Sequence, residues 1–180
     1  MKIKKHLLEN VQVLNSPNFN NRPRDIEISL IVLHSISLPP TVFGNNYVEN
    51  FFLNKLPESN DEYMNKIKNM KVSSHVYIKR NGDIIQFVPF DKRAWHAGKS
   101  SYNNIENCND YSIGIELEGC DDIAFEDIQY IELSEVVKSL LENYNHITKD
   151  RILPHSDIAP GRKSDPGPLF DWKRLKSMIK

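Results

Sequence analysis

The histidines come first, because imidazole is the side chain that most often binds metal ions and transfers protons near neutral pH. Of the six in the sequence, His6 and His146 lie in polar stretches, where a solvated side chain is expected. His34 instead follows an apolar run, so its imidazole must either find a hydrogen-bond partner or serve a site at the edge of a sheet. The residues around His34 leave both roles open.

A second set of reactive side chains is crowded into the loop PHSDIAPGRKSDPGP, residues 154–168, which holds four of the ten prolines. Two imidazoles and one carboxylate are a common ligand set for catalytic zinc, which keeps a fourth position open for water. His34, His155 and Asp165 could form such a set. The alternative is a solvated loop in which Lys163 and Asp165 form an ion pair. Spacing alone does not choose between the two.

Two glutamates, Glu116 and Glu118, lie on the same face of an alternating run at residues 112–118. Beside a metal-bound water, a carboxylate could take the proton during attack and return it to a leaving amine. Lys163 could direct its cation toward the oxyanion that develops there. The alternative is that both glutamates lie on a solvated sheet face and Lys163 is a surface lysine. The strand pattern does not say which glutamate would act.

The segment AWHAG, residues 94–98, places an aromatic side chain and a histidine among small residues. Such a loop suits stacking against a sugar or lining a cleft, which would give Trp95 and His96 a role in binding. Trp95 could equally be part of an ordinary core.

Hydrophobic periodicity predicts the elements that must position these side chains. The β-branched run at residues 28–36 predicts a central strand covered on both faces. An Asn-Gly pair between two β-rich runs predicts a hairpin over residues 76–87. Residues 112–118 form a third strand, and apolar residues at helical spacing predict a long helix over residues 125–144. Weaker patterns predict short helices over 47–55 and 61–70, a short strand over 151–153 and a final helix over 170–179.

Strands and helices thus mix along the chain, and neither a repeat nor a linker separates them. The predicted fold class is α/β, or mixed α+β. It is a single domain over residues 1–180, with a central mixed β-sheet flanked by helices and the candidate metal site at the sheet edge. The loop 154–168 is predicted to lack regular structure, although its prolines argue against disorder.

The composition excludes several classes of protein. With 23 basic and 24 acidic residues, the net charge of -1 gives no general attraction to nucleic acid or to an anionic membrane. No stretch approaches the roughly 20 apolar residues of a membrane span, and the basic start is not followed by the apolar core of a signal peptide. Cys108 and Cys120 are too few for a disulfide framework. We therefore expect a cytoplasmic chain with reduced thiols and no obligate protein partner.

Four segments, VLHSISLPP, SSHVYIKRNGDIIQFVPFDKRAWHAG, CNDYSIGIELEG and HSDIAPGRKSDPG, together closely resemble the type-2 N-acetylmuramoyl-L-alanine amidases. The resemblance runs in order over roughly Ser29 to Trp172. Within that family the chain is most similar to the cytoplasmic branch that acts on 1,6-anhydro-muropeptides in peptidoglycan recycling.

The resemblance implies one zinc ion per chain, held by His34, His155 and Asp165. It also implies that Glu116, the first glutamate of GIELEG, is the acid-base residue and that Lys163 acts beside it. The substrate would be a small muropeptide, cut at the amide between the muramic acid and L-alanine. Substrate contacts are expected from a further four residues: Ser35, Trp95, His96 and Arg162.

Two residues depart from the usual family pattern. Ser35 stands where the family commonly has Asn after the metal histidine, and RKSDPG replaces the usual RKTDPG. Ser35 is shorter than Asn, so a bridging water would have to replace a direct hydrogen bond to substrate. The second change is mild, and we expect catalysis to survive both.

Two rival functions remain at this point. One is an autolysin or endolysin of the same fold that cleaves intact cell wall; the lack of a signal peptide and of a wall-binding module argues against it. The other is a non-catalytic peptidoglycan-binding module that has lost a zinc ligand. The presence of all three candidate ligands argues against the second.

Overall fold

A six-stranded mixed β-sheet lies at the centre of the computed structural model, which describes all 180 residues. The strand order is β12-β5-β11-β6-β7-β3, and the first four strands are parallel to one another. Three two-stranded ladders, β1-β2, β4-β8 and β9-β10, lie outside this sheet.

The strands are β1 (Ile3–Lys4), β2 (Leu7–Leu8), β3 (Gln12–Val13), β4 (Phe19–Asn21), β5 (Leu30–Ile36), β6 (Val76–Ile78), β7 (Ile84–Gln86), β8 (Lys92–Ala94), β9 (Ser101–Tyr102), β10 (Ile105–Glu106), β11 (Ser112–Glu118) and β12 (Ile152–Pro154). The helices are α1 (Tyr47–Phe52), α2 (Glu62–Ile67), α3 (Asp127–Asn143), α4 (His155–Ile158) and α5 (Trp172–Met178). The prediction of a mixed α/β fold with a central mixed sheet is confirmed.

Strand β5 has a parallel neighbour on each side, as its continuous β-branched run predicts. Its first five residues, Leu30 to His34, are all buried. Alternate residues of β5 point to opposite faces of the sheet, so Ile31 and Leu33 enter one core while His34 lies on the other face. In the register with β11, His34 is the partner of Glu116. This pairing brings two of the candidate functional side chains next to each other.

One face of the sheet is covered by α3 and α5. Helix α3 begins with a capping box, in which Glu126 and Gln129 satisfy each other's backbone N–H groups. Its apolar stripe, which includes Leu133 and Val137, packs on Ile115 and its neighbours in the sheet. The long amphipathic helix predicted from spacing is therefore confirmed, slightly shortened at both ends.

The opposite face is covered in part by α1 and α2, which pack against Tyr77 and Ile85. Both helices are shorter than their apolar patterns predict. Helix α1 ends early because Asn54 adopts a left-handed backbone conformation, with φ of 58°. Asp61 is the N-cap of helix α2, and its side chain accepts a hydrogen bond from the Met64 backbone N–H.

The predicted hairpin is formed by β6 and β7. Its turn is closed by hydrogen bonds between Lys79 and Asp83 and from Gly82 to Lys79. Gly82 has φ of 91°, a conformation that glycine adopts without a steric penalty. The Asn-Gly signal thus identified the turn correctly.

The loop 154–168 departs from its prediction, because its first residues form the short helix α4. The buried side chain of Ile158 secures that helical turn against Ala97 and Tyr111. No helix of the chain is both long and apolar enough to cross a membrane. Cys108 and Cys120 are free thiols, as their number and spacing predict.

Candidate metal centre and surrounding cavity

The candidate site lies at the carboxyl edge of the parallel strands. His34 is near the end of β5, Glu116 is opposite it on β11, and His155 directly follows β12. Parallel strands bring their carboxyl ends to one edge of a sheet, which is where ligands bind in open α/β sheets. Asp165 reaches this edge because its carbonyl accepts a hydrogen bond from the Ser156 backbone N–H.

Three side chains converge at this edge. The distance between the Nδ1 atoms of His34 and His155 is 2.9 Å, and the Asp165 Oδ2 lies 3.1 Å from the first and 3.0 Å from the second. Only 1% of His34 and 2% of His155 is exposed to solvent. These three residues are the group in the chain whose ligand atoms could hold a metal ion. Asp165 makes no ion pair with Lys163, so the solvated-loop alternative is wrong.

The local environment favours the protonation states that a metal requires. Burial lowers the pKa of His34 to about 4, an effect that outweighs its hydrogen bond with Asp165, so its imidazole is neutral. Burial alone would raise the pKa of Asp165, but hydrogen bonds with His155 and His34 more than offset it and hold that pKa below its usual value. A neutral imidazole and an ionised carboxylate are the forms that bind metal ions.

Glu116 points into the same site without a partner. It is 8% exposed, and its Oε2 atom is buried with no hydrogen bond. Burial, followed by the charge of Asp165, raises the pKa of Glu116 well above its usual value, while the charge of Lys163 opposes the rise. A carboxyl group with a raised pKa and a free oxygen is suited to accept and return a proton near neutral pH.

Glu118 is also buried, but its carboxylate is fully engaged. Its Oε1 accepts a hydrogen bond from the Gly44 backbone N–H at 2.6 Å, and its Oε2 accepts one from the Arg80 N–H at 2.9 Å. The interpretation that both glutamates lie on a solvated face is therefore wrong. The structure separates a free carboxylate at Glu116 from a structural one at Glu118.

A cavity of about 640 Å³ opens over this cluster. One wall is apolar and comes from α1, α2 and the segment that follows them, with Phe51, Tyr63 and Met70 among its residues. Lys163, which is exposed on the loop before Asp165, also lines the cavity. All four residues expected to contact substrate also line the cavity: Ser35, Trp95, His96 and Arg162.

These four residues differ in how they are held. Ser35 is half-buried and its hydroxyl has no protein partner. The Trp95 indole N–H donates to Asn20, which leaves the ring as its contribution to the cavity. Arg162 donates to two backbone carbonyls, those of Ala97 at 2.6 Å and Lys99 at 2.7 Å.

His96 is tied to the metal cluster itself, because its Nδ1 lies 2.9 Å from the Nε2 of His34. Neither this contact nor the apolar wall of the cavity could be predicted from the sequence. Tyr63 and Met70 fit an ordinary helical stripe, so their types alone could not distinguish a cavity wall from core. The backbone carbonyl of Ala97, which lies 3.1 Å from the His155 Nε2, has no side-chain signature at all.

Comparison with known families agrees with this site. Residues 23–168 match the family model described as N-acetylmuramoyl-L-alanine amidase. The chain is 49% identical to the 1,6-anhydro-N-acetylmuramyl-L-alanine amidase AmpD of Haemophilus influenzae, over 99% of this chain and 97% of that protein.

Two solved structures extend the comparison. The crystal structure of a selenomethionine derivative of AmpD superimposes with a TM-score of 0.96 at 44% identity, covering 100% of both chains. The amidase AmiD of Escherichia coli, in complex with the substrate anhydro-N-acetylmuramic acid-L-Ala-D-gamma-Glu-L-Lys, superimposes with a TM-score of 0.61 at 30% identity. That match covers 88% of this chain and 60% of the other.

Proposed function

The chain belongs to the N-acetylmuramoyl-L-alanine amidase family, and from this premise we propose that it hydrolyses the amide bond between 1,6-anhydro-N-acetylmuramic acid and L-alanine in soluble muropeptides. Such a reaction serves peptidoglycan recycling. The observation that carries the proposal is the convergence of His34, His155 and Asp165 beside the unpartnered carboxyl of Glu116, at the base of an open cavity.

The metal that best suits this centre is one zinc ion per chain, held by His34, His155 and Asp165. Two imidazole nitrogens and one carboxylate oxygen form a donor set that suits zinc, and three protein ligands would leave a fourth position for water or substrate. When bound, zinc acts as a Lewis acid that polarises a carbonyl and lowers the pKa of water.

Glu116 performs the proton transfers. Its free Oε2 accepts a proton from the attacking water as the water oxygen bonds to the carbonyl carbon of the lactyl group. The same carboxyl then donates that proton to the alanine nitrogen as the C–N bond breaks. The products are an anhydromuramic acid with a free lactyl carboxylate and a peptide with a free amine.

Lys163 contributes positive charge on the cavity side of the centre. Its charge acts on both Glu116 and His34, which supports a role beside the carbonyl that would be attacked. An ammonium group there stabilises the oxyanion of the tetrahedral intermediate.

The cavity supplies substrate contacts of two kinds. The apolar wall and the ring of Trp95 suit the faces of a sugar, and the free hydroxyl of Ser35 offers a hydrogen bond. Arg162 lies at the rim, where its charge can attract an acidic stem peptide. We assign this work to one amidase domain over residues 1–180, acting in the cytoplasm on small muropeptides, with neither nucleic acid nor membrane as a partner.

The test compares two substrates under identical conditions. Purified zinc-loaded protein is incubated with a soluble anhydro-muropeptide or with whole sacculi, and products are measured by mass spectrometry. Release of free peptide from the soluble substrate, with little from sacculi, supports the proposal. Preferential cleavage of sacculi would indicate an endolysin-type amidase, and tight binding without cleavage of either substrate would indicate a binding module. Glu116→Gln is the matched inactive control.

A further inference from the structure

We infer that the two consecutive residues His96 and Ala97 form a clamp that orients both imidazoles of the metal centre. The His96 side chain holds His34, and the Ala97 carbonyl holds His155. His96 is thereby a positioning residue for the metal and not a substrate contact. The inference rests on the proposed function, because it concerns the same metal centre.

The backbone carbonyl of Cys108 can only accept hydrogen bonds. The Ser112 hydroxyl donates its single hydrogen to the carbonyl oxygen of Cys108, at 2.5 Å. Toward any other partner the Ser112 oxygen is therefore an acceptor. The His96 Nε2 lies 3.2 Å from that oxygen, so it must carry a hydrogen and donate it.

The hydrogen on Nε2 determines the hydrogen-bonding role of the other ring nitrogen of His96, Nδ1. A neutral imidazole with hydrogen on Nε2 has a lone pair on Nδ1. The Nδ1 of His96 thus accepts a hydrogen bond from the Nε2–H of His34, at 2.9 Å. With its own hydrogen on Nε2, His34 presents the lone pair of Nδ1 to His155 and Asp165.

His155 also carries its hydrogen on Nε2, and a single contact indicates this. Its Nε2 lies 3.1 Å from the carbonyl oxygen of Ala97, which has no hydrogen to give, so Nε2 donates to it. The Arg162 guanidinium, which can only donate, lies farther from the same nitrogen, at 3.5 Å. Its Nδ1 lone pair therefore also faces the cluster. The same carbonyl accepts a hydrogen bond from Arg162 at 2.6 Å, which fixes its position further.

The clamp is itself held rigidly. The Asn109 side-chain oxygen accepts hydrogen bonds from both the His96 and Ala97 backbone N–H groups, at 3.1 and 2.8 Å. On the sheet side, the His96 ring lies directly over Gly114, where an added Cβ would come within 2.4 Å of the ring. The imidazole fits against β11 because Gly114 has no side chain.

Partners of this kind, which hold a ligand's second nitrogen, fix the ring orientation and raise metal affinity. Without such a partner, each imidazole could rotate or adopt its other tautomer. Restricting the ring to the one arrangement that binds metal would then cost free energy and make metal binding weaker. Loss of such a partner typically lowers metal affinity about 10- to 100-fold.

The test uses two substitutions of nearly the same shape. His96→Asn can still place an amide oxygen near the former Nδ1, whereas His96→Leu cannot accept a hydrogen bond. The dissociation constant for zinc is measured by competition with a chelator. We expect His96→Leu to bind zinc about 10- to 100-fold more weakly than the native chain, and His96→Asn to recover most of that loss.

The activity of the same variants, at saturating zinc, separates positioning from substrate contact. A positioning role leaves KM for the muropeptide near the native value. Unchanged zinc affinity in His96→Leu, or a raised KM with unchanged zinc affinity, would overturn the inference. If the native chain itself fails to bind zinc, it is the proposed function that fails.

A measurement on the native chain tests the inference even if the variants do not fold. In the zinc-loaded protein, ¹⁵N NMR of the imidazole nitrogens distinguishes the two tautomers. We expect hydrogen on Nε2 of His34, His96 and His155. Hydrogen on Nδ1 of His96 would overturn the inference, because that nitrogen could then not accept from His34.

Discussion

Glu116 and Glu118 lie two residues apart on the same face of β11, yet their environments are opposite. Glu116 has a buried oxygen without a partner, while both oxygens of Glu118 accept backbone hydrogen bonds. Burial of a carboxylate is costly unless hydrogen bonds offset it. Substitution should therefore affect chemistry at one position and stability at the other.

For Glu116→Gln we expect full zinc content and a loss of turnover of about 10²- to 10⁴-fold, the usual contribution of general acid-base catalysis. The amide keeps the shape of the side chain but cannot accept the proton. Elemental analysis and the initial rate on soluble anhydro-muropeptide check this. Near-native turnover would show that another group transfers the proton.

For Glu118→Ala we expect a decrease of about 1–3 kcal/mol in the free energy of unfolding, because the Gly44 and Arg80 N–H groups lose their acceptor. Zinc content should be unchanged and turnover far less affected than in Glu116→Gln. Denaturant titration provides the stability measurement. A Glu118→Ala protein that is stable but inactive would reverse the assignment of the two glutamates.

Alanine at His34, His155 or Asp165 should remove stoichiometric zinc, because each supplies one of three converging ligand atoms. Zinc per chain is measured after dialysis against metal-free buffer. Cys120→Ser serves as the control and should retain zinc, since its thiol is not part of the cluster. Full occupancy in Asp165→Ala would show that the ligand set is wrong.

At the scale of elements, helices and strands could be predicted from the sequence where the hydrophobic pattern is local and long enough. The seven-residue strands β5 and β11, the hairpin at Gly82 and helix α3 each contain enough residues for their period to be read. The ladders β1-β2 and β9-β10 have strands of two residues, too short for any alternation. Their pairing is decided by turns and packing, so it could not be predicted.

Gln129 connects two kinds of element, and its substitution tests that connection. Its side-chain N–H₂ donates from α3 to the carbonyls of Ile78 and Glu118, near the ends of β6 and β11. Gln129→Leu should lower the free energy of unfolding by about 1–3 kcal/mol, because buried carbonyls lose their donors.

Zinc affinity should remain native in Gln129→Leu, because the residue lies on the helix side of the sheet ends and contacts none of the three ligands. Thermal unfolding and chelator competition measure the two effects separately. The exposed neighbour Ile128→Leu is the matched control and should change neither. A variant as stable as the native chain would mean that Gln129 is not a structural link.

For the whole molecule, the candidate site is assembled over long distances along the chain. His34 is separated from His155 by 121 positions and from Asp165 by 131. Residue types could nominate these three as ligands, but only the parallel pairing of β12 with β5 brings them together. Spacing in the sequence contains no information about that pairing, which is why the solvated-loop interpretation could not be rejected from the sequence.

Removal of zinc should lower the thermal stability of the chain without unfolding it at room temperature. The ion would join β5 to α4 and to the loop at Asp165. If zinc binds only the folded state, it adds on the order of 4 kcal/mol to the free energy of unfolding when the free zinc concentration is about 1,000 times Kd. That corresponds to a fall in Tm of roughly 10 °C for a chain of this size. Calorimetry with and without chelator measures it, and Asp165→Ala should show no response. Complete loss of the far-ultraviolet circular dichroism signal on chelation would contradict this expectation.

The position of β5 between β11 and β12 also has a consequence for synthesis on the ribosome. One edge of β5 can pair as soon as residues 112–118 have emerged, but its other edge must wait for residues 152–154. At roughly 5–20 residues per second, synthesis of the residues between β5 and β12 leaves this apolar strand with an unpaired edge for about 6 to 24 s. An unpaired apolar edge is a site of aggregation. The last strand to join the sheet therefore brings His155 to the metal centre and also ends the period in which β5 has an unpaired edge.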